Sequence, residues 1–415
     1  MSMDLAARLS KRVRQIKISA TKEMPMIAAK VGGCVSLGQG VPSFATPPHV
    51  AEAVARALRD DPAAGKYSLQ PGMPALRRAV ADLLRAEKDL PADAEREVAI
   101  TVGGMEALLC AMLTLVGPGD EVIVPEPFYP SHVEQILMAE GTPVFAPLRR
   151  TDWGLDVDAV AAAITPRTKA VIVSSPHNPT GAVFAKKDLL RLGELALKHG
   201  IFIICDDTYD ALAYDGPDAL TVKGGAYSLA SEPDLRHLLV GVFSFSKRFA
   251  LTGWRVGFMW AREELLGHML KIHDAAAICA PSISQIAALA SLTGPQDVYA
   301  GFKKTLENRR DLLCARLDAM SAAFSGPARG LGVEYQRGIL AAFSHINDHG
   351  GAGGWRLALS MRDDGYGPAT ALSNTIAFVE QEHVFALLGY VGTPTTVRVL
   401  PLLRHYDTSD MRSPG

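Results

Sequence analysis

Lys247 stands in Ser244-Phe245-Ser246-Lys247, directly after the strand-like run Leu238–Phe243, and Arg255 follows eight residues later in Thr252-Gly253-Trp254-Arg255. The two hydroxyls and the guanidinium are donors suited to one phosphate, and a lysine amine beside the phosphate-bearing ligand can serve as nucleophile and as base. A second phosphate feature is the turn Gly103-Gly104-Met105-Glu106, which opens an apolar helix. Glycine lets the backbone come close, and the free N–H groups at a helix N-terminus suit an anion. Asp206-Asp207-Thr208-Tyr209 and Ser175-Pro176-His177-Asn178-Pro179-Thr180-Gly181 close two further strand-like runs. Ligands of an open parallel sheet bind outside the carboxyl ends of its strands, so these four chain positions can converge. Taken singly each is ordinary: most lysines after strands are solvated, and most Gly-Gly turns are packing devices. No P-loop and no G-x-G-x-x-G is present, which speaks against a nucleotide as the owner of the phosphate.

The elements that must position these residues alternate between strand-like and helix-like from about residue 98 to 260, the pattern of an α/β fold with a mostly parallel sheet. Short β-branched runs occur at Glu121–Pro125, Ala170–Ser174, Ile201–Cys205, Leu238–Phe243 and Val256–Trp260, and each reads as a buried strand. Between two of them Lys186–His199 carries Leu189, Leu190, Leu192, Leu195 and Ala196 at helical spacing. Residues 301–323 form a long amphipathic pattern that would connect a large domain, residues 46–300, to a smaller one, residues 301–415. Residues 1–45 are expected to pack with the smaller part. A glycine-rich loop, His349–Gly354, interrupts the C-terminal region, and there is no repeat.

With 415 residues, two domains are the natural expectation. Hydrophobic residues make up 48% and charged ones 21%, which is globular rather than disordered composition. Forty-two basic side chains nearly cancel 44 acidic ones, leaving a formal charge of −2, so no global field draws the chain to nucleic acid or to a membrane surface. A small-molecule partner is favoured. The five cysteines, Cys34, Cys110, Cys205, Cys279 and Cys314, include no C-x-x-C pair and point to a reducing cytoplasm without a disulfide framework or a zinc site. No leader follows the basic stretch Lys11–Lys17, and the apolar region near 107–116 is too short to span a bilayer.

Taken together, Ser244-Phe-Ser-Lys247, Gly253-Trp-Arg-Val-Gly257, Asn178-Pro-Thr-Gly181 and Asp206…Tyr209 resemble the class I and II aminotransferases, enzymes of fold type I that use pyridoxal phosphate (PLP) and include the aspartate aminotransferases. Leu37-Gly-Gln-Gly-Val-Pro42, Tyr67…Gly72…Leu76-Arg77, Gly103-Gly-Met105 and Pro127-Phe-Tyr-Pro130 follow the family in order and spacing, over roughly residues 30 to 320. The resemblance implies a large domain built on a seven-stranded sheet sandwiched by helices, with a smaller α+β domain. It implies that Lys247 carries PLP as a Schiff base and moves a proton in transamination between an L-amino acid and a 2-oxo acid. Asp206 would hold the proton on the pyridine nitrogen, Tyr209 and Asn178 would face the phenolic oxygen, and Tyr129 would stack on the ring. Gly103, Gly104, Met105, Ser244, Ser246 and Arg255 would hold the phosphate, with Tyr67 reaching it from the other subunit of a homodimer with shared active sites. Substrate would meet Gly40, Asn178 and a carboxylate-binding arginine.

That arginine is expected to be Arg398, in the strand-like Thr395-Thr-Val-Arg-Val399, although Arg337, Arg356, Arg362 and Arg404 are also available. From about residue 330 the chain departs from the family pattern, apart from an echo in Ile339–Phe343. An enzyme of the same fold that performs β- or γ-elimination, replacement or cyclisation, in specialised metabolism, is therefore the alternative to transamination. A non-catalytic PLP-sensing regulator is disfavoured, because only about 30 residues precede the first family motif.

Overall fold

A computed structural model of the chain describes residues 8–16, 20–31, 40–214, 221–222, 225–318, 339 and 373–374. Seven strands form one sheet: β1 (Val98–Thr101), β2 (Glu121–Glu126), β3 (Thr142–Pro147), β4 (Thr168–Ser174), β5 (Phe202–Asp206), β6 (Leu239–Ser244) and β7 (Gly257–Ala261). Their order is β1-β7-β6-β5-β4-β2-β3, and β7 alone runs antiparallel to its neighbours. The five strand-like runs are all strands, most displaced by one residue toward the C-terminus. The sequence reading passed over β3 because Pro143 and Pro147 break its pattern. At the sheet edge a strand tolerates proline, since one row of its N–H groups has no ladder partner to lose.

The inner strands are apolar on both faces because both faces are covered. In β4, Ala170 and Ile172 join Val122, Ile204, Val242 and Met259 on one side; Val171 and Val173 join Ile123, Ile203, Phe243 and Trp260 on the other. This alternation is the period-2 geometry of a strand. Helices Gly103–Leu115, Pro130–Met138 and Glu263–Ala277 cover the first face, and Pro48–Asp60, Pro74–Lys88, Lys186–His199 and Ser282–Thr293 the second. Ile172 and Trp260 are fully buried, and a buried side chain of Ile size stabilises by roughly 1.5–3 kcal/mol. The sheet is therefore a stiff platform for what projects from its ends.

The chain divides into two compact units, Met1–Lys303 and Lys304–Gly415. The long helix runs from Asp297 to Asp318, four residues earlier at its start than its apolar pattern suggests, because Asp297 supplies an acidic first turn.

Candidate active site

Three strands deliver the chemistry. β6 ends at Ser244, whose hydroxyl oxygen accepts the Ser246 N–H at 3.1 Å and so caps the four-residue helix Phe245–Arg248 that carries Lys247. The Ser244 O–H keeps its own proton to donate. Lys247 Nζ donates to the Gly40 carbonyl at 2.7 Å and lies 5.6 Å from the Tyr209 ring centroid. Burial, reinforced by the Arg255 charge, holds the lysine below its usual pKa, which favours the free amine that a nucleophile needs.

β5 ends at Asp206, a buried carboxylate. Burial works against its charge, but His132 at 3.0 Å, together with the hydroxyl of Thr208 at 2.6 Å and its N–H at 3.3 Å, outweighs that cost and keeps it below the usual carboxylate range. Tyr209 behaves oppositely: burial, then Asp206 and Tyr129, push its phenol up to about 12, so it is a proton-bearing donor at neutral pH.

β1 leads into helix Gly103–Leu115 through Gly103, at φ +74°. A Cβ there would lie 2.8 Å from the Arg255 guanidinium, so the glycine turn and the arginine border one space. Arg255 is itself left-handed, φ +53°, and donates to the Thr252 carbonyl at 2.9 Å. Gly257, at the head of β7, is required more strictly. A Cβ there would sit 2.6 Å from the Phe243 carbonyl and 2.7 Å from backbone atoms of Gly103 and Gly104.

Helix Pro130–Met138 adds to the expected Tyr129 two residues that the motifs do not mark, His132 and Gln135. Tyr129 at its N-cap, His132 and Gln135 follow at intervals of three, one face of a helix. Tyr129 Oη lies 3.7 Å from Met105 Sδ, His132 bonds Asp206, and Gln135 donates to the Met105 carbonyl at 2.9 Å. The Tyr129 and His132 rings meet edge to face, 5.4 Å between centroids. This helix thus ties the carboxylate to the glycine turn. Glu106, which the sequence places in the glycine turn without a role, accepts the Val102 N–H on its carboxylate at 2.5 Å and meets buried His273 at 2.8 Å, fixing the first turn of the glycine helix. Only the spacing of three from Tyr129 to His132 and to Gln135, one face of a helix, could have hinted at these two.

Asn178 lies half-buried in the loop after β4, between two cis peptide bonds, Ser175–Pro176 and Asn178–Pro179. Tyr67 is 79% exposed. Arg398, Arg337, Arg356, Arg362, Arg404, Leu37 to Gln39, Leu340 to Phe343 and the glycine loop at 349–354 lie outside the described residues.

The arrangement suits a phosphate-bearing heteroaromatic ring. It offers a glycine cradle with a guanidinium beside it, hydroxyl donors, an ionised buried carboxylate, an aromatic ring and an amine of lowered basicity. These are groups that would hold PLP.

Residues 33–387 match the family described as Aminotransferase class I and II. Among curated proteins, aromatic-amino-acid aminotransferase 2 from Thermococcus litoralis is 33% identical, with 82% of this chain and 84% of that protein covered. The aspartate aminotransferase of Pyrococcus abyssi gives the same identity and coverage. The solved aspartate aminotransferase from Thermus thermophilus with maleate is 35% identical and superposes with a TM-score of 0.69, over 75% of this chain and 80% of that one. With the lysine, the carboxylate and the glycine cradle at the strand ends of the same sheet, this chain belongs to the class I and II aminotransferases, the PLP-dependent enzymes of fold type I.

Proposed function

We propose that the chain transfers an amino group between an L-amino acid and a 2-oxo acid, with Lys247 holding PLP as a Schiff base and moving the proton at the substrate Cα. The observation that carries this is the amine of Lys247, depressed by burial and Arg255, set 5.6 Å from the Tyr209 ring on the strand end that also bears ionised Asp206. PLP supplies an electron sink for the Cα carbanion. Asp206, kept charged by His132 and Thr208, would hold the proton on the cofactor's ring nitrogen. Tyr209 and Asn178 donate hydrogen bonds to an anionic oxygen, and Tyr129 stacks. Gly103, Gly104, Met105, Ser244, Ser246 and Arg255 bind the phosphate dianion. Gly40, whose carbonyl meets the lysine, and Arg398 are assigned to the substrate.

The same reading assigns Tyr67 to the neighbouring subunit of a homodimer, which its exposure supports. It keeps residues 46–300 as the cofactor-bearing domain and 301–415 as the smaller one. A cytoplasmic site of action is supported by free Cys110, Cys205, Cys279 and Cys314. Among the described residues no helix is long and apolar enough to cross a membrane.

The test incubates PLP-loaded enzyme with a panel of amino acids, with and without 2-oxoglutarate, and measures oxo-acid and glutamate formation. Turnover that depends on the oxo acceptor is expected, with Lys247→Ala lowering kcat by at least about 10³-fold. Release of ammonia without an acceptor would replace transamination by elimination.

A further inference from the structure

The residues that bear the chemistry sit at the ends of β5 and β6, and both ends are gripped by one feature that neither strand supplies: the dipeptide Glu87-Lys88 at the end of helix Pro74–Lys88. Arg248, the residue after Lys247, gives Glu87 a fork of two hydrogen bonds, Nη1 to Oε2 at 2.6 Å and Nη2 to Oε1 at 2.5 Å. Lys88 Nζ lies 2.9 Å from the carboxylate of Asp210, the residue after Tyr209, and donates to the Ala226 carbonyl at 3.1 Å. Helix Pro74–Lys88 is then locked in place by Ser231, which donates to the Lys88 carbonyl at 2.6 Å.

Neither residue is where stability alone would put it. A carboxylate in the last turn faces the negative end of the helix dipole, and a lysine only 4% exposed forfeits its hydration. Each has a charged partner that adjoins the site, Arg248 for Glu87 and Asp210 for Lys88. Two charged side chains, adjacent on one rigid helix, therefore set the spacing between the lysine and the tyrosine whose chemistry must coincide. A misplacement of about 1 Å in such a constellation can cost on the order of 10²-fold in rate.

We propose that Glu87 and Lys88 are positioning residues of the transamination site, Glu87 aiming Lys247 through Arg248 and Lys88 aiming Tyr209 through Asp210. This rests on the reading that Lys247 and Tyr209 carry the reaction. Glu87 has a second effect, since it balances the charge on Arg248, the residue after Lys247. Removing it disfavours the protonated nitrogen.

The decisive variant is Glu87→Gln, because the pair is 21% and 25% exposed and its loss is tolerable to the fold, whereas Lys88→Met strands Asp210. In the PLP-loaded protein we expect kcat to fall about tenfold with KM within about twofold, and the pH midpoint of the lysine–cofactor absorbance to fall by about half a unit. The unfolding midpoint should barely move. Arg248→Met should reproduce the loss of kcat but not the fall in the pH midpoint, because it removes the cation itself, and the double variant should lose no more kcat than either single one. Wild-type kcat and pH midpoint in folded Glu87→Gln, or losses that add in the double variant, overturn the proposal. If instead Lys247→Ala retains the lysine–cofactor absorbance, the parent reading has failed; loss of that absorbance alongside an unaltered Glu87→Gln condemns the positioning role alone.

Discussion

His177 and Asp207 flank the site as buried groups with opposite titration. Burial, then the neighbouring His132, pulls His177 down to about 4, and burial pushes Asp207 up to about 7 against the attraction of Lys88. Between about pH 4 and 6.5 an unfolded chain protonates His177 while the folded one does not, so acidification destabilises through this residue. For Asp207 the signs reverse. Over about pH 4 to 7 the folded chain keeps the proton that the unfolded one releases, so acidification stabilises. Each contribution is on the order of a few kcal/mol, and the two have opposite signs. Thermal unfolding across this window should therefore show His177→Gln gaining stability relative to wild type as pH falls and Asp207→Asn losing it. Parallel curves for all three proteins would refute the assignment.

Among the elements, β7 illustrates how a strand can be shaped by a neighbouring turn. Gly257 pairs with Thr101 of β1 and Ser244 of β6, and the glycine turn at 103–104 crosses directly over it. Gly257→Ala forces backbone against backbone and should cost about 1–3 kcal/mol or more in denaturant unfolding, with PLP affinity falling in step. Gly103→Ala meets the far end of the Arg255 side chain. Its φ of +74° adds about 1 kcal/mol of strain, so it should weaken PLP binding more than it weakens the fold. Equal effects of the two substitutions on PLP affinity and on unfolding would contradict this division.

At the level of the whole molecule, an exposed tyrosine assigned to a phosphate has only one explanation within the proposal, a second copy of the chain. Sedimentation should find a dimer. Tyr67→Phe should lower PLP affinity on the order of 10- to 100-fold, the loss of one hydrogen bond to a charged group. A mixed dimer supplies the sharper check. Co-expression of Lys247→Ala with Tyr67→Ala should give hybrids with one site intact and one site doubly impaired. No recovery of activity over the separate variants would place Tyr67 in its own subunit.

What the sequence by itself determined is the set of local signals: buried β-branched runs, the helix at 186–199, and the polar residues that follow strands. Lys247, Asp206, Tyr209 and the glycine turn were readable because each stands next to the element that positions it, within a few residues. The tertiary structure alone decided who holds them. His132 meets Asp206 across 74 positions of chain, Arg248 meets Glu87 across 161, and Lys247 meets Gly40 across 207. Such pairs leave no periodic trace, because a side chain's partner is chosen by the strand order β1-β7-β6-β5-β4-β2-β3 and not by sequence distance. The fate of the paired aspartates has the same origin. Asp206 and Asp207 are adjacent and chemically identical, yet successive residues leaving a strand point to opposite faces, one to His132 and the other to Ser228.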